Sequence, residues 1–131
     1  MNWIPGWVKS WIVGSLKKIA VGVVQKEGDS LQAKLKAAVV GEGDACRLCD
    51  KLDKVIDEAQ RRTLVLAASS GPSWAFLKPL RAKIGEEITA HGDKLQKKLR
   101  EEIKAKGPGA VDAVFDRAQE ALIKNIEALS I

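Results

Sequence analysis

Residues 28–35 read GDSLQAKL and residues 92–99 read GDKLQKKL, so six of the eight positions are identical. In both stretches two leucines four positions apart fall on one face of a helix. A glycine followed by a capping aspartate opens each stretch, and this pair is typical of one helix ending and the next beginning. The match therefore predicts helices in both places and an internal duplication that relates them.

The rest of the chain has the same helical character. Glycine, proline and aspartate cut it into helix-length pieces whose apolar residues follow a 3.6-residue period, and no stretch alternates with a period of two. The predicted fold class is all-α, a multi-helix bundle of about six helices formed by duplication of a three-helix unit. The predicted helices cover residues 7–25, 30–40, 45–68, 74–90, 93–106 and 111–129, and the fourth starts late or bends at Pro79.

The domain organisation follows from the repeat. Residues 1–68 form the first predicted three-helix unit, residues 69–73 (SSGPS) a linker of turn-forming residues, and residues 74–131 the second unit. Gly41-x-Gly43 matches Gly107-x-Gly109, and the same register pairs Asp50 with Asp116 and Cys49 with Phe115. Each unit is too small to bury its own apolar face, so we expect the two to pack on each other.

The positive charge is concentrated in the first 26 residues. They contain four lysines and no acidic residue, whereas residues 27–131 hold eighteen Lys and Arg against seventeen Asp and Glu. This asymmetry indicates an end of the molecule that meets an anionic surface or an acidic partner rather than a uniformly basic nucleic-acid binder.

The same segment predicts a basic amphipathic helix that is the main contact surface. Tryptophan suits a boundary between apolar and wet phases, and neighbouring lysines can meet acidic groups. The predicted contact residues are Trp3, Ile4, Trp7, Val8, Lys9, Trp11, Ile12, Lys17 and Lys18. The alternative is that this helix is the most buried of the bundle, with its tryptophans in the core.

The first 24 residues, with Trp3, Trp7, Trp11, Lys9 and Lys17 among them, resemble the leaderless cationic bacteriocins in composition and periodicity. These are short helical bundles, rich in tryptophan and lysine, that disrupt membranes. The resemblance implies membrane activity as an alternative function. The many acidic residues in the remainder of the chain depart from that pattern.

The sequence offers little for catalysis or metal binding. Cys46 and Cys49 form a Cys-x-x-Cys pair, and His91 is the only histidine, one ligand short of a zinc site. Cys49 is interpreted as a core residue and His91 as an exposed residue at a helix end. We therefore expect no enzymatic activity, no metal and no cofactor.

Six basic residues follow one another on the predicted fifth helix: Lys94, Lys97, Lys98, Arg100, Lys104 and Lys106. They are interpreted as a solvated face, because Glu101 and Glu102 lie among them and no aromatic residue is interleaved for base stacking. Nucleic-acid binding by this helix is a further alternative.

Together these features predict a non-enzymatic structural or assembly protein. It docks its tryptophan-rich helix on a partner subunit, of its own or another kind, or on a membrane surface, and it could be a component of a larger particle such as a virion. No signal peptide or membrane-spanning segment is predicted, so a soluble or peripheral protein is expected.

Overall fold

The computed structural model describes residues 4–40 and 44–130, with the backbone alone at residues 45 and 46. Its α-helices are α1 (Gly6–Val39), α2 (Ala45–Ser69), α3 (Lys78–Lys106) and α4 (Val111–Glu127), with short 3-10 turns at Ala75–Leu77 and Pro108–Ala110. No strand occurs in the described part of the chain. The all-α prediction is confirmed, and the prediction of six helices is wrong because the described residues form four.

The two missing helix breaks were predicted at glycines that lie inside continuous helices. Gly28 lies within α1 and Gly92 within α3, and each faces a glutamine from another helix. A Cβ atom at Gly28 would be 1.8 Å from Oε1 of Gln119, and one at Gly92 would be 2.5 Å from Oε1 of Gln60. These glycines therefore allow a close approach between helices and do not terminate them.

Other predicted boundaries are confirmed. Asp44 caps α2, since its Oδ1 accepts a hydrogen bond of 3.1 Å from the backbone N–H of Arg47. Gly107 ends α3 with a φ of +85°, and its N–H donates to the carbonyl of Ile103 at 2.8 Å. Pro79 lies in the first turn of α3, so this helix starts late and does not bend at the proline, which was one of the two predicted alternatives.

Each helix packs against the helices before and after it in the chain, and α1 closes the ring against α4. The buried apolar side chains form two clusters, one at each end of the bundle. The first cluster contains Ile12, Leu16, Ala20, Val24, Ala67, Leu77, Leu80, Ile84, Ile88, Leu122 and Ile126. The second contains Leu35, Ala38, Leu48, Cys49, Leu52, Ile56, Leu95, Leu99, Ile103, Val111 and Phe115. The first half of α1 thus lies beside the last half of α2, which defines an up-down-up-down four-helix bundle.

A polar contact joins α1 to α4. The side-chain N–H group of Gln32 donates to Oδ1 of Asp112 at 3.1 Å and to Oδ1 of Asp116 at 3.2 Å. One turn further along α1, Nζ of Lys36 lies 3.2 Å from Oδ2 of Asp112. This contact fixes the register of the two helices.

The same arrangement recurs between α3 and α2. Gln96 donates to the backbone carbonyl of Asp53 at 3.2 Å and to the carboxylate of Asp57, and one turn further along α3 the guanidinium of Arg100 bonds the carboxylate of Asp53. That hydrogen bond and the charge of Asp53 raise the pKa of Arg100. The same contact therefore occurs twice in the bundle. A glutamine and a cation on α1 face two aspartates on α4, and a glutamine and a cation on α3 face two aspartates on α2.

These contacts correct the sequence register of the repeat. They place Asp57 in the position of Asp116 and Ile56 in that of Phe115, so the earlier pairing of Cys49 with Phe115 is wrong. In the corrected register residues 53–60 (DKVIDEAQ) match residues 112–119 (DAVFDRAQ) at five of eight positions. The spacing changes chiefly because α2 begins eight residues before Asp53, whereas α4 begins only one residue before Asp112.

Candidate functional site at the basic end of the bundle

The first turns of α1 divide the predicted contact residues between surface and core. Trp7 and Trp11 lie one turn apart on the outer face and are 77% and 71% exposed. Val8 and Ile12, also one turn apart, point inward: Val8 is half-buried against the first core cluster, and Ile12 is 5% exposed within it. The other two apolar residues predicted for this surface are Ile4, which is half-buried, and Trp3, which lies outside the described residues.

The three predicted lysines also differ in their surroundings. Lys9 and Lys18 are exposed, and Nζ of Lys9 lies 5.7 Å from the centre of the Phe76 ring, within range of a cation–π contact. Lys17 is half-buried, and its Nζ donates to the carbonyl of Leu129 at 2.7 Å. Lys17 therefore ties α1 to the end of α4, whereas Lys9 and Lys18 remain available at the surface.

A fourth tryptophan, which sequence reasoning did not assign to this surface, lies at the same end of the bundle. Trp74 precedes the 3-10 turn before α3, is 47% exposed, and packs edge-to-face on Phe76 with ring centres 5.9 Å apart. Val65, in the last turns of α2, is exposed as well. The sequence contains a signal for this extension, because residues 61–85 hold five Lys and Arg and no acidic residue.

Arg81 holds the loop that carries Trp74. Its guanidinium donates to four backbone carbonyl groups at the end of α2 and in the following loop, those of Ala67, Ala68, Ser70 and Pro72, with the first three bonds each 3.0 Å long. These bonds satisfy carbonyls that the end of a helix leaves without an intrahelical partner. These bonds therefore hold the loop in place, and they occupy the guanidinium of Arg81 within the fold.

The charges are divided between the two halves of the bundle. Residues 4–26, 61–85 and 122–130 surround the first core cluster, and we call them the basic half: they hold ten Lys and Arg and one acidic residue, Glu127, a formal charge of +9. The acidic half, residues 27–60 and 86–121, holds twelve Lys and Arg and sixteen Asp and Glu, a formal charge of −4. Four of the five large apolar side chains found exposed in the described chain lie in the basic half, the exception being Val40.

Cys49 and His91, the described residues considered for metal binding or catalysis, lie outside the basic half, and their side chains are packed within the bundle. Cys49 is buried in the second core cluster, as predicted. His91 is not at an exposed helix end, because α3 continues past it. It is buried, with Nδ1 2.9 Å from the carbonyl of Glu87 and Nε2 3.4 Å from Nδ2 of Asn125. These contacts fit the tautomer with the proton on Nδ1. Among the described residues no group of His, Cys, Asp and Glu is arranged to hold a metal.

The lysine-rich part of α3 lines a groove against α4 with a volume of about 550 Å³. Lys94, Lys97 and Lys98 are exposed along it, but Glu101 and Glu102 line it too, and Nζ of Lys106 is 3.1 Å from the carboxylate of Glu102. Arg100 points to α2 and bonds Asp53. The groove is thus of mixed charge, unlike the basic half.

No protein-family model, curated protein or solved structure matches this chain. Across residues 4–40 and 44–130, none of the helices combines the length and apolar character that crossing a bilayer requires.

Proposed function

We propose that the protein is a non-enzymatic docking protein, in which a helical body presents its basic, aromatic end to a partner surface. The observation that carries the proposal is the coincidence of three exposed indoles, those of Trp7, Trp11 and Trp74, with the half of the bundle that has a single acidic residue. Large exposed aromatic residues clustered in one place mark interaction sites in soluble proteins.

The buried polar groups support a structural body rather than a catalytic one. Oγ1 of Thr63 donates to the carbonyl of Ala59 at 2.7 Å, and the carboxylate of Glu27 lies 3.1 Å from Nε of Arg62. His91 is held by its contacts within and between helices. Each of these groups is used to fix packing, and none faces the exposed aromatic end.

The body itself is proposed to be a duplication of a helical hairpin, with α1 and α2 as one copy, α3 and α4 as the other, and the boundary in residues 69–73. The repeated glycine–glutamine approaches and the repeated glutamine–aspartate contacts support it. In a larger particle such as a virion, the docking end would be the part that contacts the other components.

Site-specific photo-crosslinking tests the proposal. A photoreactive amino acid replaces Trp11 in one variant and Val40 in the other; both positions are exposed, but they lie at opposite ends of α1. In the cells from which the sequence derives, we expect one discrete adduct, to protein or to lipid, from position 11 and none from position 40. Equal labelling from both positions, or none from position 11, would contradict a docking end.

The bacteriocin-like alternative uses the same surface but requires that the bilayer be permeabilised. Release of a trapped dye from vesicles distinguishes the two functions. A docking protein binds without release, whereas a membrane-disrupting protein releases the dye at the concentrations at which it binds.

A further inference from the structure

We propose that the surface recognised by the basic end is the headgroup layer of an anionic phospholipid bilayer, and that the bundle docks end-on through both α1 and the loop before α3. The inference rests on the proposed docking function and names its partner. It extends the contact beyond α1 to the loop before α3, and so to Trp74 and Lys78.

The charge distribution matches a negatively charged plane. The basic half carries +9 and the acidic half −4, so an anionic surface attracts one end and repels the other. Within the described residues four exposed lysines of the basic half, Lys9, Lys18, Lys78 and Lys83, form no ion pair with a carboxylate; Nζ of Lys83 bonds a backbone carbonyl, that of Ser130. Their charges are therefore available to headgroup phosphates.

The aromatic residues match the layer just beneath those phosphates. Indole rings prefer the boundary between headgroups and acyl chains, where the ring is in an apolar medium and the N–H finds an acceptor. Trp7 and Trp11 extend from one element at this end and Trp74 from another. An interfacial contact also fits the finding that no described helix is suited to span a bilayer.

The kinds of cation at this end favour lipid over the two other anionic partners, an acidic protein and a nucleic acid. Arginine forks give protein and nucleic-acid interfaces their fixed geometry. Of the three arginines in the basic half, Arg81 is engaged by four carbonyl groups and Arg62 is paired with Glu27. Arg61 is exposed, but it lies about two turns before the end of α2. The exposed cations in the first half of α1, Lys9 and Lys18, are lysines, which act as point charges on flexible stems. A single-strand binder would in addition need a basic groove lined by aromatic residues, whereas the groove on α3 holds carboxylates and no Phe, Tyr or Trp side chain.

The test is binding of the full chain to vesicles, measured by co-sedimentation and by the tryptophan emission maximum. Vesicles of phosphatidylcholine and phosphatidylglycerol in equal parts are compared with pure phosphatidylcholine, and duplex and single-stranded DNA are the rival ligands. We expect the anionic vesicles to bind on the order of tenfold or more tightly than the neutral ones, with a blue shift and a marked weakening by salt.

Variants locate the contact. Lys9→Gln with Lys18→Gln is expected to weaken binding on the order of tenfold, whereas the matched pair Lys97→Gln with Lys98→Gln, on the acidic half, should leave it unchanged. Circular dichroism verifies that each variant is folded. Equal binding to neutral and anionic vesicles, binding to DNA alone, or equal losses from the two lysine pairs would overturn the proposal.

The two proposals fail separately. If position 11 crosslinks to a protein while anionic vesicles do not bind, the docking function stands and the lipid inference is overturned. If neither occurs, both are overturned.

Discussion

Two neighbouring residues of α1, Trp11 and Ile12, give opposite predictions for stability. Ile12 is 5% exposed within the first core cluster, and truncating a buried isoleucine to alanine costs about 2–5 kcal/mol. Its place near one end of the bundle favours the lower part of that range, about 2–3 kcal/mol. Trp11 is 71% exposed, so Trp11→Ala should change the free energy of unfolding by no more than about 0.5 kcal/mol, and the higher helix propensity of alanine offsets part of any loss.

Urea and thermal unfolding followed by far-ultraviolet circular dichroism measure this difference without relying on the tryptophan that is removed. For a chain of this length, Ile12→Ala should lower Tm by roughly 10 °C while Trp11→Ala leaves it nearly unchanged. If Trp11→Ala destabilised the protein as much as Ile12→Ala, the indole would be a core residue and α1 would be turned the other way. The alternative derived from the sequence, a buried tryptophan helix, would then be correct.

Three further changes test the packing. Gly28→Ala places a Cβ where the terminal amide of Gln119 lies, so this side chain must rotate away. We expect the cost to offset the helix-propensity gain of alanine, which leaves stability within about 0.5 kcal/mol of the original, and a second change, Gln119→Ala, to recover part of that gain; recovery should be absent if the two groups do not touch. Gly85→Ala meets Leu64 only at 3.7 Å and should raise stability by about 0.5–1 kcal/mol through helix propensity, as chemical denaturation would show. Arg81→Gln removes charge-assisted bonds to the loop before α3 and should cost about 1–3 kcal/mol, with faster hydrogen exchange at residues 70–74; unchanged exchange there would show that the guanidinium does not hold the loop.

The helical class could be predicted from the sequence because leucines such as Leu31, Leu35, Leu95 and Leu99 repeat at helical spacing. The number of helices could not. A glycine followed by aspartate ends a helix when the glycine adopts a positive φ. The same pair lies inside a helix when a side chain from another helix packs against the glycine. That choice depends on glutamines from distant helices, which local pattern does not contain.

The basic, aromatic end of the bundle was partly predictable for a related reason. The charge asymmetry and the spacing of Trp7 and Trp11 are visible along one helix, although only the packed bundle determines that Ile12 points inward. The contribution of Trp74 depends on a loop held by Arg81, so its place beside α1 is a tertiary property. The stretch without acidic residues around it was the available signal.

Quenching of tryptophan fluorescence by brominated anionic lipids tests the docking geometry most directly. Variants that keep only Trp11 or only Trp74 are compared with a variant whose single tryptophan is introduced at the far end of α1 by Val40→Trp. End-on docking predicts that the Trp11 and Trp74 variants are both quenched while the Val40→Trp variant is not. Quenching of all three alike, or of none, would contradict a docking surface at the basic end.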